Sequence, residues 1–177
     1  AKLQLKKIVH SHPKNEEAYV LLSGIYNKQN NQAARADIIQ QGSEKTGSVR
    51  LSVALASIYE GNKQYNKAIS VYEHILVKYP DSALAMNNLA SILSEHKTDK
   101  ASLNKAKQLA DKMKKSTQPV IQDTVGWIYY KTGDYSAAIK MLKNAVGKAP
   151  DINIFNYHLG MAYKATGDNK MAKTYLQ

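Results

Sequence analysis

Three residue series recur along this chain in one register, and that register restricts the fold more than composition does. Alanines stand at Ala1, Ala34, Ala68, Ala106, Ala138 and Ala172, spaced 33, 34, 38, 32 and 34 residues apart. Leu22, Leu55, Leu89, Val125 and Leu159 form a second series, and Tyr26, Tyr59, Leu93, Tyr129 and Tyr163 a third. Both are spaced 33, 34, 36 and 34. A small residue follows each member of the leucine series: Ser23, Ala56, Ala90, Gly126 and Gly160. Pro13, Pro80 and Pro150 close three of the units. A chain patterned in this way stacks repeats, each burying its apolar face against its neighbours.

Each unit reads as two helices and a turn. Leu55, Ala56 and Tyr59 fall on one helical face, a break follows at Gly61-Asn62-Lys63-Gln64, and Ala68, Tyr72 and Ile75 recur at helical spacing. Val125, Gly126 and Tyr129, the turn Lys131-Thr132-Gly133-Asp134, then Ala138, Leu142 and Ala145 repeat the plan. The small positions have a packing reason, since two helices approach to about 8–10 Å only where the side chains at the crossing are small. A larger residue at Ala68 or Gly126 is expected to push the pair apart. The carboxylates Asp81, Asp134, Asp151 and Asp168 stand at helix starts and turns, where capping explains them, with either Asp81 or Ser82 available as the N-cap after Pro80.

The pattern Leu-small-x-x-Tyr, then Ala-x-x-x-large and Pro, over 34 residues resembles the tetratricopeptide repeat. The likeness is clearest in Leu55-Ala56-Tyr59-Ala68-Tyr72-Pro80, Val125-Gly126-Tyr129-Ala138-Leu142-Pro150 and Leu159-Gly160-Tyr163-Ala172-Leu176. It implies an all-α solenoid of antiparallel helix pairs in a right-handed superhelix. Residues 1–15 would be the second helix of a truncated repeat. Repeats would follow at 16–48, 49–82, 83–118, 119–152 and 153–177, the last truncated. The first unit has one residue fewer in Asn27–Gln32, and the third about four more in Ser94–Ser102. Glu95-His96 would then lie in a solvated loop. The cut ends are expected to expose apolar strips and so to offer surfaces for self-association.

No Gly-rich phosphate loop, His-Glu-x-x-His or Gly-x-Ser-x-Gly pattern occurs. Absence of Cys removes disulfides, thiolate metal sites and a cysteine nucleophile. His10-x-His12 has no third ligand beside it. A non-catalytic chain is therefore expected, with no cofactor and no metal. The apolar runs are too short for a transmembrane segment.

Binding residues are sought on the first helix of each unit, off its packing positions. Asp123, Trp127 and Tyr130 form such a stripe, on the order of 100° from the packing face. Its counterparts are Asn87 and Ser91 in the third unit and Tyr157, Met161 and Lys164 in the fifth, with Asn88 and His158 bordering it. In proteins that resemble this family, the corresponding face lines the inner concave surface. Asn87, Asn88, Asp123, Trp127, Tyr130, Tyr157, His158 and Met161 are thus the candidate partner-binding residues, for a protein or peptide segment. The rival reading packs Trp127 against a neighbouring repeat. Ala34, Ala68, Ala106, Ala138, Ala172, Leu55, Tyr59, Gly126, Tyr129, Gly160 and Tyr163 are the structural packing residues.

Twenty-five Lys+Arg against fourteen Asp+Glu give a formal charge of +11. Seven lysines lie between Lys97 and Lys115, with Lys105, Lys112 and Lys115 at helical spacing. They read as a solvated outer face or, alternatively, as a surface for an anionic polymer: exopolysaccharide, membrane surface or nucleic acid. Nucleic acid is disfavoured, since only Arg35 and Arg50 are arginine. The run Asp123–Lys131 followed by Tyr157–Ala162 is also similar to long bacterial tetratricopeptide proteins, some of them lipoproteins or periplasmic scaffolds of exopolysaccharide export and surface-protein sorting. That likeness favours the bacterial periplasm, or anchoring to a membrane by an upstream segment, over the cytoplasm.

Overall fold

The structure, a computed structural model, describes residues 1–97 and 99–176. Among the described residues, eleven helices follow one another: α1 Lys2–Ser11, α2 Glu16–Lys28, α3 Gln32–Thr46, α4 Val49–Gly61, α5 Tyr65–Lys78, α6 Ala83–His96, α7 Lys100–Met113, α8 Pro119–Lys131, α9 Tyr135–Lys148, α10 Asn153–Ala165 and α11 Asn169–Leu176. They group into two compact units, Ala1–Ala85 and Met86 onward. Within each unit, consecutive helices joined by short turns pack as antiparallel pairs, the all-α solenoid arrangement.

Side-chain caps fix many of the helix starts. Asn15, Asn31, Ser48, Asp99, Asp134 and Asp168 accept from the backbone N–H three residues on, at 2.9–3.2 Å. Of the two side chains available at Asp81-Ser82, Ser82 accepts the Ala85 N–H, at 3.4 Å. Helix α10 starts from Ile152 with no side-chain cap, because Asp151 lies one residue too early. The turn between first and second helices takes a left-handed residue at Asn30, Lys63, Gly133 and Gly167. Glycine fills two of these positions at no steric cost.

The alanine series lies at the pair crossings. Ala68, Ala106 and Ala138 are fully buried and Ala172 nearly so. Ala34 is only half-buried. The shorter connection makes it the third residue of α3, whereas Ala68, Ala138 and Ala172 are each fourth in their helices. Gly126 and Gly160 are the tightest crossings. A Cβ on Gly126 would stand 2.6 Å from Leu142 Cγ and 3.2 Å from the Ala138 carbonyl, and one on Gly160 2.6 Å from Leu176 Cγ. Gly42 does the same on α3, where a Cβ would meet Tyr19 at 2.7 Å and Leu51 at 2.9 Å.

The tyrosine series ties one pair to the pair before it. Tyr129 on α8 donates to Asp111 on α7 at 2.8 Å, with the Lys107 ammonium 5.0 Å from its ring. Burial pushes the Tyr129 hydroxyl well above its ordinary value, and the Asp111 carboxylate pushes it the same way. Tyr59 on α4 donates to Gln40 on α3 at 3.4 Å, and Tyr26 on α2 lies under Lys2 of α1 at 4.4 Å.

The extra residues of the third unit are spent as helix. Helix α6 runs to His96, three residues past Leu93, where α4 stops two past Tyr59. Helix α7 starts six residues before Ala106, where α5 starts three before Ala68. Glu95 and His96 are thus the last turn of α6 and not a loop; Thr98 lies outside the described residues. Lys115 falls beyond the end of α7, so it does not continue the helical row of Lys105 and Lys112.

Gly126→Ala is expected to destabilise the protein by about 1–3 kcal/mol through overpacking. Gly24→Ala, on the open face of α2 with nothing within 4 Å of the added carbon, should instead stabilise it by about 0.5–1 kcal/mol. Urea unfolding curves compare the two, and a more stable Gly126→Ala protein would refute the close crossing.

Candidate functional site

Within the second unit, α6, α8 and α10 are the first helices of successive pairs, and one side-chain cluster joins them. Trp127 of α8 is at its centre. Its indole N–H donates to Glu95 Oε1 of α6 at 2.5 Å. Its ring stacks on Tyr130 (centroids 4.6 Å apart, 7° between planes) and on His158 of α10 (4.0 Å, 14°). Two rings this close and this parallel cannot lie side by side on one face, so they hold the indole between them. Tyr157 approaches at a tilt, 6.3 Å from the Trp127 ring.

Polar bonds fix the same residues from outside the stack. Lys131 Nζ lies 2.8 Å from Glu95 Oε1, donates to the Ser94 carbonyl at 2.8 Å and stands 5.4 Å from the Trp127 ring. His158 Nδ1–H donates to both Asp123 oxygens at 2.9 and 3.0 Å. Burial pushes the Asp123 carboxyl above its ordinary value, opposed by the His158 bond. For Glu95, burial also acts upward, but the bonds from Lys131 and Trp127 and the Lys131 charge outweigh it, so its carboxyl sits below its ordinary value.

The candidate residues therefore divide. Asp123, Trp127, Tyr130, Tyr157 and His158 come together. Asp123, His158 and Asn87 are more than nine-tenths buried, with relative exposures of 7, 9 and 8 %, and turn their polar atoms inward. Asn87 donates to Asn88 Oδ1 at 3.3 Å and leaves its own Oδ1 buried without a partner. Asn88 and Met161 are half-buried, and Tyr157 is 46 % exposed. Trp127 bridges neighbouring repeats and keeps part of its ring accessible. A hollow of about 350 Å³ opens beside it, lined by Ser91, Ser94, Glu95, Asp123, Thr124, Trp127, Ile154 and His158. Exposed Ile154 stands on its rim.

Glu95 and Lys131 are the contributors that sequence reasoning missed. Their signal was present: each stands two residues after the third-series member, Leu93 and Tyr129, so opposite charges occupy equivalent positions in consecutive repeats. Among the described residues no hydroxyl is hydrogen-bonded to His158; Ser94 and Thr124 donate to backbone carbonyls instead. Among the described residues no group of three or more His, Cys, Asp or Glu is placed to hold a metal ion. No helix among them is long and apolar enough to cross a membrane.

Glu95 binds the fold in its ionised form. Its contribution is complete above the ordinary carboxylate range and is lost as pH falls through the lowered folded-state value. Asp123 has the opposite sign, its contribution holding at low pH and fading as pH rises through the raised value. Trp127 is the single tryptophan, so its emission reports on the cluster directly. Acid titration should show a step below the ordinary glutamate range in the wild type and none in Glu95→Gln, with about 1 kcal/mol of stability lost at neutral pH. The same step in both proteins would refute the Glu95 tie.

Comparisons agree with this architecture. Two tetratricopeptide repeat family models match residues 49–92 and 126–172. Over 88 residues, 49 % of this chain, the sequence is 32 % identical to a TPR repeat-containing protein of Pseudomonas aeruginosa; the match reaches only 14 % of that relative's length. A tetratricopeptide repeat protein from Parabacteroides merdae superposes with a TM-score of 0.74 at 17 % identity, over 99 % of this chain and 69 % of that one. MamA from Desulfovibrio magneticus RS-1 gives 0.75 at 14 % identity, over 90 % of each. At these identities the solved structures share the fold.

Proposed function

We propose, from the premise that the chain belongs to the tetratricopeptide repeat family, that it is a non-catalytic scaffold whose second unit binds a segment of another protein on the face of α6, α8 and α10. Proteins of this fold generally serve protein–protein interaction. The observation that carries the reading is the Trp127 cluster, an aromatic surface already fixed by hydrogen bonds and stacking and still partly open to solvent. Exposed Ile154 lines the hollow together with Trp127, and exposed Tyr157 stands 6.3 Å from the Trp127 ring, so a partner side chain can enter against a ring and an aliphatic wall. Rings held before binding cost little further ordering, which favours affinity.

The buried members take different parts in this scheme. Asp123 and His158 orient Trp127 from the wall of the hollow, while Tyr130, Tyr157, Ile154 and the exposed edge of Trp127 supply the contact surface. Asn88 and Met161 flank the contact. The likeness to long bacterial arrays of exopolysaccharide export and surface-protein sorting adds the expectation of a partner from an export or assembly complex.

The test is affinity capture from lysate of the source cells by the wild-type chain and by Ile154→Asp/Tyr157→Ala, a variant that keeps Glu95, Trp127 and His158 and their direct contacts. A protein retained by the wild type should fall at least about tenfold on the variant, with unchanged circular dichroism. Equal retention would remove this face as the binding surface.

A further inference from the structure

The first unit carries a second hollow of about 550 Å³ between α1 and α3, the second helices of their pairs. Its floor is apolar and aromatic: Val9, Pro13, Tyr19, Tyr26 and Ile38. Its charged lining is all of one kind, Lys6 on α1 and Lys45 on α3, with His10 one turn from Lys6. No carboxylate lines it. Among the described residues, no hydrogen bond or ion pair engages the side chains of Lys6, His10 or Lys45.

Helix α3 sorts its charges to produce this. Ile38, Gln41 and Lys45 recur at helical spacing and line the hollow toward α1. Gln40 and Glu44 line the separate hollow toward α5, and Asp37 acts on Tyr59 on that side. There Glu44 faces Lys67, His74 and Lys78, so that hollow is mixed in charge. The remaining neighbours add no acid to the first one. Helix α1 contains no acidic residue, and the two of α2, Glu16 and Glu17, are held by Arg50.

We propose that the α1–α3 hollow docks an acidic peptide segment in which carboxylates alternate with apolar side chains. Lys6 and Lys45 meet carboxylates from opposite walls, and His10 adds a third donor. The aliphatic floor of Val9, Pro13 and Ile38 takes the apolar residue between them. That floor separates a peptide from a nucleic-acid backbone: a phosphate chain has nothing to bury there, and no arginine lines the hollow for bidentate phosphate contact. This surface belongs to the first unit and is independent of the Trp127 face.

The probe is a fluorescein-labelled decapeptide of alternating glutamate and leucine, followed by anisotropy at low salt and again near physiological ionic strength. The wild type should bind it at low salt and lose affinity as salt rises. Lys6→Glu/Lys45→Glu should weaken binding about tenfold, and Lys6→Gln/Lys45→Gln by less in the same direction. Lys112→Glu/Lys114→Glu changes the net charge equally at exposed positions of the second unit and should leave affinity within about twofold. Three results would overturn the proposal: no binding by the wild type at low salt, equal weakening by both glutamate variants, or displacement of the peptide by duplex DNA or polygalacturonate more readily than by unlabelled peptide.

Discussion

The close approach of two antiparallel helices is the constraint on which the rest of this protein is built. Wherever a pair crosses, one helix offers a residue with little or no side chain and the other fills the space. Gly126 receives Leu142, Gly160 receives Leu176, and Gly42 admits both Tyr19 and Leu51. Buried Ala68, Ala106 and Ala138 hold the matching positions on the second helices. Because each helix touches mainly its neighbours in sequence, such crossings act locally, and the stability of a repeat stack is close to a sum over adjacent pairs.

Once the crossings fix each pair, the next layer of contacts joins successive pairs. Tyr129 reaches back to Asp111 and Tyr59 to Gln40, each from a first helix to the second helix before it. Trp127 works on the other side of the same helix, linking α6 through Glu95 to α10 through His158. One helix thus spends its tyrosine holding the stack and its tryptophan building the surface. The surface inherits its rigidity from the stack, so the rings around Trp127 are held in place by the same packing that holds the repeats.

Much of this is legible in the sequence because the repeat supplies its own controls. Ala68, Ala138, Gly126 and Gly160 stand out by recurring, and steric need at a helix crossing explains the recurrence. The misses fall where a residue departs from the average repeat. Glu95 looks like loop because the third unit is longer, and the spare residues turn out to lengthen α6 and α7. Ala34 shares the period but not the burial, since one missing residue moves it into the first turn of α3. Of the partners of Trp127, Tyr130, Tyr157 and His158 are already among the candidates read from the sequence, while Glu95 lies 32 residues away and is missed. It shows only when equivalent positions of adjacent repeats are compared for charge, a comparison the packing series does not prompt.

The most direct measurement on the helix crossing is a double-mutant cycle between Gly126 and Leu142, read by urea unfolding. Leu142→Ala alone empties buried volume and should cost about 2–5 kcal/mol. If the Gly126 position is closed by Leu142 itself, the alanine added in Gly126→Ala has room once that leucine is truncated. The double variant should then be at least about 1 kcal/mol more stable than the sum of the single effects predicts. Strict additivity would mean that the two residues do not meet, and would contradict the close crossing on which the pair and the stack depend.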